Sequence, residues 1–248
     1  MKKTLLLCSL VSLTASLCAA DPSSKDDVSA AAKKLGDQPS YSWTTTVTVP
    51  EGSQFRPGPT EGKTVKDDLT YLKMSFGDNT TEAYFKGDKA AVTDPDGGWQ
   101  SLSELEANQG PRRFLSGMLR NFRAPAAQAT TIADTTKELK KDGDVYSSDL
   151  TEDGAKTLLT FRGRRAGGEG PAISDAKGSA KFWIKDGALS KYEFHVSGRV
   201  SFGGNDIDVD RTTTVEIKDV GATKIELPED AKKKLAPEPA PAAAPEAK

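Results

Sequence analysis

The stretch Phe182-Trp183-Ile184-Lys185-Asp186-Gly187-Ala188-Leu189, continued as far as Val200, decides the fold. Beyond the Lys185-Asp186-Gly187 turn, Tyr192, Phe194 and Val196 fall on one side of the chain. Lys191, Glu193, His195 and Ser197 fall on the other, which is the period-two alternation of a strand with one face buried. Two such runs joined by a short polar turn read as an antiparallel hairpin. Toward the C-terminus, Gly203-Gly204-Asn205 supplies the next turn, residues 207–217 and 220–227 read as closing strands, and Pro228-Glu229-Asp230-Ala231 starts a short helix.

The same period governs the N-terminal half. Tyr41, Trp43, Thr45, Val47 and Val49 share a face until Pro50 closes the strand, and Leu72, Met74 and Phe76 align within residues 69–76. Gly77-Asp78-Asn79 and Lys86-Gly87-Asp88 then turn the chain through two further short strands, giving a meander. Residues 51–63 read as a long loop, and residues 164–170 as a glycine-rich one.

The middle of the chain is helical. Ser101 followed by Glu104 is a capping-box pattern. In residues 111–122, Pro111 suits a first turn, and Phe114, Leu115, Met118, Leu119 and Phe122 recur at helical spacing. Residues 136–141 and a segment from Thr151 to Leu159 read as shorter helices, and residues 30–36 as a helix ending at Gly36. Both ends of the exported chain read as peripheral.

Composition narrows the function classes. The 248 residues carry 34 Lys and Arg against 36 Asp and Glu, one His, two Cys and 36% apolar residues. With no basic excess to release counterions, nothing points to a nucleic-acid partner. The one long apolar run, at the N-terminus, is too short to span a bilayer. One histidine and two cysteines argue against a histidine-rich metal centre or a disulfide scaffold, and no metal or cofactor is expected.

Residues 1–20 read as a signal peptide: Lys2 and Lys3, then Leu5, Leu6 and Leu7 through Leu13, then Cys18, Ala19 and Ala20. Cleavage after Ala20 would export the chain, to the periplasm, without either cysteine. The alternative is a lipoprotein signal acylated at Cys18, for which the bulky Leu17 is a poor preceding residue. Residues 21–37 form an N-terminal helical or linker segment, 38–235 the folded domain, and 236–248 an Ala/Pro-rich tail too poor in apolar residues to order itself.

The order of these elements, with Tyr41-Ser42-Trp43 in the first strand, the 182–189 hairpin and a closing Thr223-Lys224-Ile225-Glu226-Leu227-Pro228, resembles the bacterial lipoprotein-carrier superfamily over most of residues 28–235. That group comprises LolA-like outer-membrane lipoprotein-sorting proteins and LppX-like lipid-binding lipoproteins. The resemblance implies an α+β fold: a strongly curved antiparallel sheet, an incomplete barrel, with helices covering its concave face. It also implies an apolar cavity between the layers that takes a lipid or lipoprotein acyl chain without catalysis. Candidate lining residues are Trp43, Leu72, Met74, Phe76, Phe114, Met118, Phe122, Trp183 and Tyr192. Ordinary core packing would use the same residues, so the alternative is an envelope structural or protein-interaction module of this fold with no ligand.

Arg112, Arg113, Arg120 and Arg123, interleaved with that apolar stripe, form a basic amphipathic surface suited to transient contact with an anionic membrane. His195 lies on the polar side of its strand, and no serine sits in a Gly-x-Ser-x-Gly setting, so a hydrolase is disfavoured. Asp206, Asp208 and Asp210 share one strand face at a spacing of about 6.5–7 Å, too wide to close on one Ca2+. They read as a solvated face, and Asp94-Pro95-Asp96-Gly97-Gly98 reads as a turn.

Overall fold

The computed structural model describes residues 24–53, 56–66, 69–108, 113–160, 171–202 and 205–236. Residues 1–20, read from the sequence as a signal peptide, residues 164–170, read as a glycine-rich loop, and residues 237–248 of the expected tail lie outside the described residues. Helix α1 (Ser24–Gly36) leads into strands β1 (Ser40–Thr48), β2 (Thr60–Val65), β3 (Leu69–Phe76), β4 (Asn79–Lys86), β5 (Lys89–Thr93) and β6 (Trp99–Ser101). Helices α2 (Leu102–Ala107), α3 (Arg113–Arg120) and α4 (Pro125–Asp134) follow. Strands β7 (Lys140–Asp142) and β8 (Val145–Asp149), helix α5 (Glu152–Leu159), strands β9 (Ala172–Lys185), β10 (Ala188–Phe202) and β11 (Asn205–Lys218), and helix α6 (Glu229–Leu235) complete the order.

Among the described residues, eleven strands form one antiparallel sheet in the order β6-β5-β4-β3-β2-β1-β11-β10-β9-β8-β7. Two meanders thus meet in the middle, where β1 pairs with β11 from Ser42↔Lys218 to Thr48↔Thr212. The edges β6 and β7 do not pair with each other, so the sheet is not closed into a barrel. Helices α2, α3 and α4 connect those two edges, and the main core lies between the sheet's inner face and α1–α5. This is an α+β fold with an open antiparallel sheet covered by helices. No helix among the described residues is long and apolar enough to cross a membrane.

Helix α1 is longer than the sequence suggests, and it is core rather than peripheral. Val28, Ala31, Ala32 and Leu35 recur at helical spacing and are all buried. Asp26 and Asp27 in its first turn and Lys33 and Lys34 in its last complement the helix dipole. The Tyr146 hydroxyl donates to Asp27 Oδ2 at 2.9 Å and Lys25 Nζ donates to the Thr136 carbonyl at 2.6 Å, tying the helix to the β7–β8 wing.

Four other elements depart from expectation. Part of the expected 51–63 loop is strand: β2 pairs with both β1 and β3, but its inward positions are Thr60, Gly62 and Thr64, which give no apolar alternation. Residues 136–141 are not helical, because Leu139 is the one buried apolar residue there and Gly143, at φ +58°, turns the chain into the β7–β8 hairpin. The helix of this region is instead α4, started by Pro125 at its first turn. Residues 220–227 are not a strand: β1 and β11 already have neighbours on both sides, so the segment crosses the outer face, where the Tyr84 hydroxyl donates to the Glu226 carbonyl at 2.8 Å. There Ile225 and Leu227 join Tyr84, Ala91, Ala231 and Leu235 in a second, smaller cluster, so α6 covers the face opposite to the other helices.

The expected capping box is present: Ser101 N donates to Glu104 Oε2 at 2.6 Å and Glu104 N donates to Ser101 Oγ at 3.2 Å. Helix α5 accommodates Gly154 because a Cβ there would stand 2.6 Å from Thr135 Cβ, a close approach only glycine permits.

Candidate functional site

The inner face of the first meander is built from cross-strand rows. One row runs Trp43↔Gly62↔Leu72↔Ala83↔Val92, and the next, one step toward the sheet's end, runs Tyr41↔Thr64↔Thr70↔Phe85↔Ala90. In the second row two threonines and an alanine stand among two aromatics, so the floor is low between large walls. The threonine hydroxyls satisfy one another at 3.1 Å, which limits the polarity of that floor.

Over this row lies a half-open groove of about 1050 Å³. Its apolar lining comes from Tyr41, Val65, Phe85, Leu102, Leu119 and Phe122, with Ala124, Ala126 and Ala127 from the α3–α4 link and α4. Phe122 is the hinge between groove and core: its ring stacks on Phe85 at 5.1 Å and on Trp43 at 6.3 Å. Charged residues stand at the rim, namely Asp37, Lys66, Asp88, Arg120 and Arg123. Arg120 Nη2 donates to Glu106 Oε2 at 2.7 Å, a charge-assisted pair that raises its already high pKa.

In the main core the packing is tight and partly polar. Tyr192 is fully buried and its hydroxyl donates to Gln128 Oε1 at 2.5 Å, which fixes α4 over β10. Burial pushes the Tyr41 hydroxyl pKa up to about 12 and that of Tyr192 well above its ordinary value.

The predicted lining residues separate into three groups. Trp43, Leu72, Met74 and Tyr192 are buried core and do not line the groove, and Phe76 and Met118 pack half-buried against that core. Phe122 alone of the set lines the groove. Trp183 is turned to the outer face, where Lys191 Nζ lies 4.7 Å above its ring. The cause is a β-bulge between Leu189 and Lys191, which changes the phase of the hairpin so that Phe182 and Tyr192 pair inside and Trp183 and Lys191 outside. Arg112 and the side chains of Arg113 and Phe114 fall outside what the structure describes. Arg120 and Arg123, expected on a membrane-facing surface, stand at the groove's rim.

Tyr41, Val65, Phe85, Leu102 and Leu119 were not anticipated as lining. They come from the ends of separate elements, and the strand register is the signal that brings Tyr41 and Phe85 into one row.

The β10–β11 wing carries polar pairs. Asp210 Oδ1 contacts His195 Nε2 at 2.8 Å, Arg199 Nε donates to Asp208 Oδ1 at 2.9 Å, and Ser201 Oγ donates to Asp206 Oδ1 at 2.5 Å. The three aspartates are thus each engaged across the hairpin. Asp94 Oδ1 accepts from Asp96 N and Gly98 N, which makes that segment a turn.

An open antiparallel sheet with helices on its inner face and a half-open groove at one end defines the class of molecule. No family model matches the chain and no curated protein matches its sequence. Among solved structures the chain is similar to the lipoprotein LppX of Mycobacterium tuberculosis, with a TM-score of 0.46 and 11% identity over 81% of this chain and 96% of that one. It is also similar to LprF from Mycobacterium bovis, at 0.45 and 11% over 84% and 96%. A LolA superfamily protein from Nitrosomonas europaea matches at 0.34 and 9% over 83% and 96%. These are likenesses of fold.

Proposed function

We propose that this is an exported, non-enzymatic protein of the cell envelope that holds an apolar ligand, a lipid or lipoprotein acyl chain, in the groove between the Tyr41–Ala90 row and the α3–α4 link. The observation that carries the reading is the groove itself. Its volume of about 1050 Å³ is comparable to that of small-molecule sites, and its lining is shared about equally between apolar side chains, Tyr41, Phe85, Leu119 and Phe122 among them, and polar groups, with the charged ones exposed at the rim. Burial of a chain there yields about 0.8 kcal/mol per CH2 group, enough for binding without a reacting side chain. A signal peptide at residues 1–20 would deliver the protein to the periplasm, and the rim arginines suit transient contact with an anionic membrane surface.

The packing of Trp43, Leu72, Met74 and Tyr192 favours a second reading, an envelope interaction module whose interior is already filled. Native mass spectrometry of protein recovered from a bacterial envelope, followed by lipid extraction, separates the two. A co-purifying lipid at one per chain supports the first reading. An apoprotein that also takes up no added fatty acid supports the second.

A further inference from the structure

Resting on the reading of the groove as an acyl-chain site, we infer that its ligand ends in an anionic head held at the rim by Arg123 and Lys66. The charges around the mouth are unevenly matched. Asp37 is engaged by Lys33 Nζ at 2.6 Å, and Arg120 is committed to Glu106, with Asp88 adding to the field that holds it protonated. Arg123 and Lys66 are exposed and, among the described residues, have no carboxylate partner; Arg123 Nη1 donates to the Phe122 carbonyl at 3.2 Å. That bond ties the guanidinium to the backbone of the residue whose ring lines the groove.

A chain lying on Phe122, Phe85 and Leu119 therefore brings its polar end to two cations. A guanidinium presents a planar fork that suits a carboxylate or a phosphate, and an ammonium beside it adds a point charge. The head remains in water at the half-open mouth, so it need not be desolvated fully, and the attraction adds selectivity over a neutral head more than raw affinity. The ligand class is a long-chain amphiphile with an acidic head.

The test uses three fluorescent probes with one acyl chain: a carboxylic acid, its methyl ester and a monoacyl phosphate. They are titrated into the wild-type chain, into the double variant Lys66→Gln with Arg123→Gln, and into Lys63→Gln on the outer face. The wild type should bind at least one anionic probe on the order of tenfold more tightly than the ester. The preference should shrink with added salt, persist in Lys63→Gln and vanish in the double variant. Whichever anion ranks first identifies the head. Equal binding of acid, phosphate and ester by the wild type overturns the anionic head while leaving the groove reading intact, and a preference that survives the double substitution overturns its assignment to Lys66 and Arg123. Failure to bind any probe overturns the groove reading and this inference together.

Discussion

The indole of Trp43 lies across Gly62, filling the space that a Cβ at that position would need. The two are cross-strand partners, and Gly62 is in turn the partner of Leu72. One glycine in a polar strand thus lets the largest side chain of β1 lie down against the sheet, where its other face meets Phe122. Gly62→Ala should destabilise the fold by about 1–3 kcal/mol through overpacking. Gly117→Ala, at a helical position with nothing within 4 Å of the added Cβ, should stabilise it by about 0.5–1 kcal/mol. Thermal or denaturant unfolding of the two variants checks both signs.

Alkaline stability should reflect the buried tyrosines. Tyr41 ionises at about 12 in the folded chain and near 10 when unfolded, so the unfolded state loses its proton first. The stabilisation is complete below pH 10 and is lost as pH rises from 10 toward 12, by on the order of 2 kcal/mol for this group. Denaturant midpoints measured from pH 8 to 12 should fall steeply at the top of that range, and less steeply in Tyr41→Phe.

At the β6 edge, Lys234 Nζ of α6 donates to Glu104 Oε1 at 2.6 Å and Oε2 at 2.8 Å, linking the outer-face helix to the capping box of α2. The Lys234 hydrogen bond, then the Ser101 backbone, holds the Glu104 carboxyl below its ordinary pKa of 4.5. A depressed carboxylate stabilises above its unfolded pKa and ceases to do so as pH falls through the folded one. The difference in Tm between wild type and Glu104→Gln should therefore be larger at pH 7 than at pH 3. Ser101→Ala, which removes the other half of the box, should cost about 1 kcal/mol at neutral pH.

Much of this architecture is legible in the sequence where periodicity and turn chemistry agree. The β9–β10 hairpin, the β3–β5 meander and the α2 cap all announce themselves, because each needs only local pattern. Strand β2 does not, since its inward positions are Thr60, Gly62 and Thr64 and its apolar cover is supplied by Trp43. Residues 220–227 look like a strand because Val220, Thr223 and Ile225 are strand-formers, but the sheet has no free edge beside them. The lining of the candidate groove was legible only in part. Phe122, Arg120 and Arg123 stand at the groove, whereas Trp43, Leu72, Met74 and Tyr192 are buried core that does not line it, because composition cannot tell a lining residue from its packed neighbours. Trp183, a candidate lining residue, is turned to the outer face by a one-residue bulge that no propensity signals.

Phe122 joins groove and core, so its truncation should act on both. Phe122→Ala removes the stacked contacts with Phe85 and Trp43 and should cost about 1–3 kcal/mol of stability for a half-buried ring. Binding of an acyl probe should weaken further than in Phe76→Ala, which thins the core at a position that does not line the groove. Paired unfolding and probe titrations on the two variants separate loss of fold from loss of site.

The most direct measurement is photo-crosslinking with a fatty acid carrying a diazirine midway along its chain, followed by peptide mapping. Adducts concentrated on Tyr41, Phe85, Leu119 and Phe122, and competed away by unlabelled fatty acid, are the predicted result. Sparse labelling scattered over the outer face, or labelling that excess fatty acid leaves unchanged, would contradict an acyl-chain site in this groove.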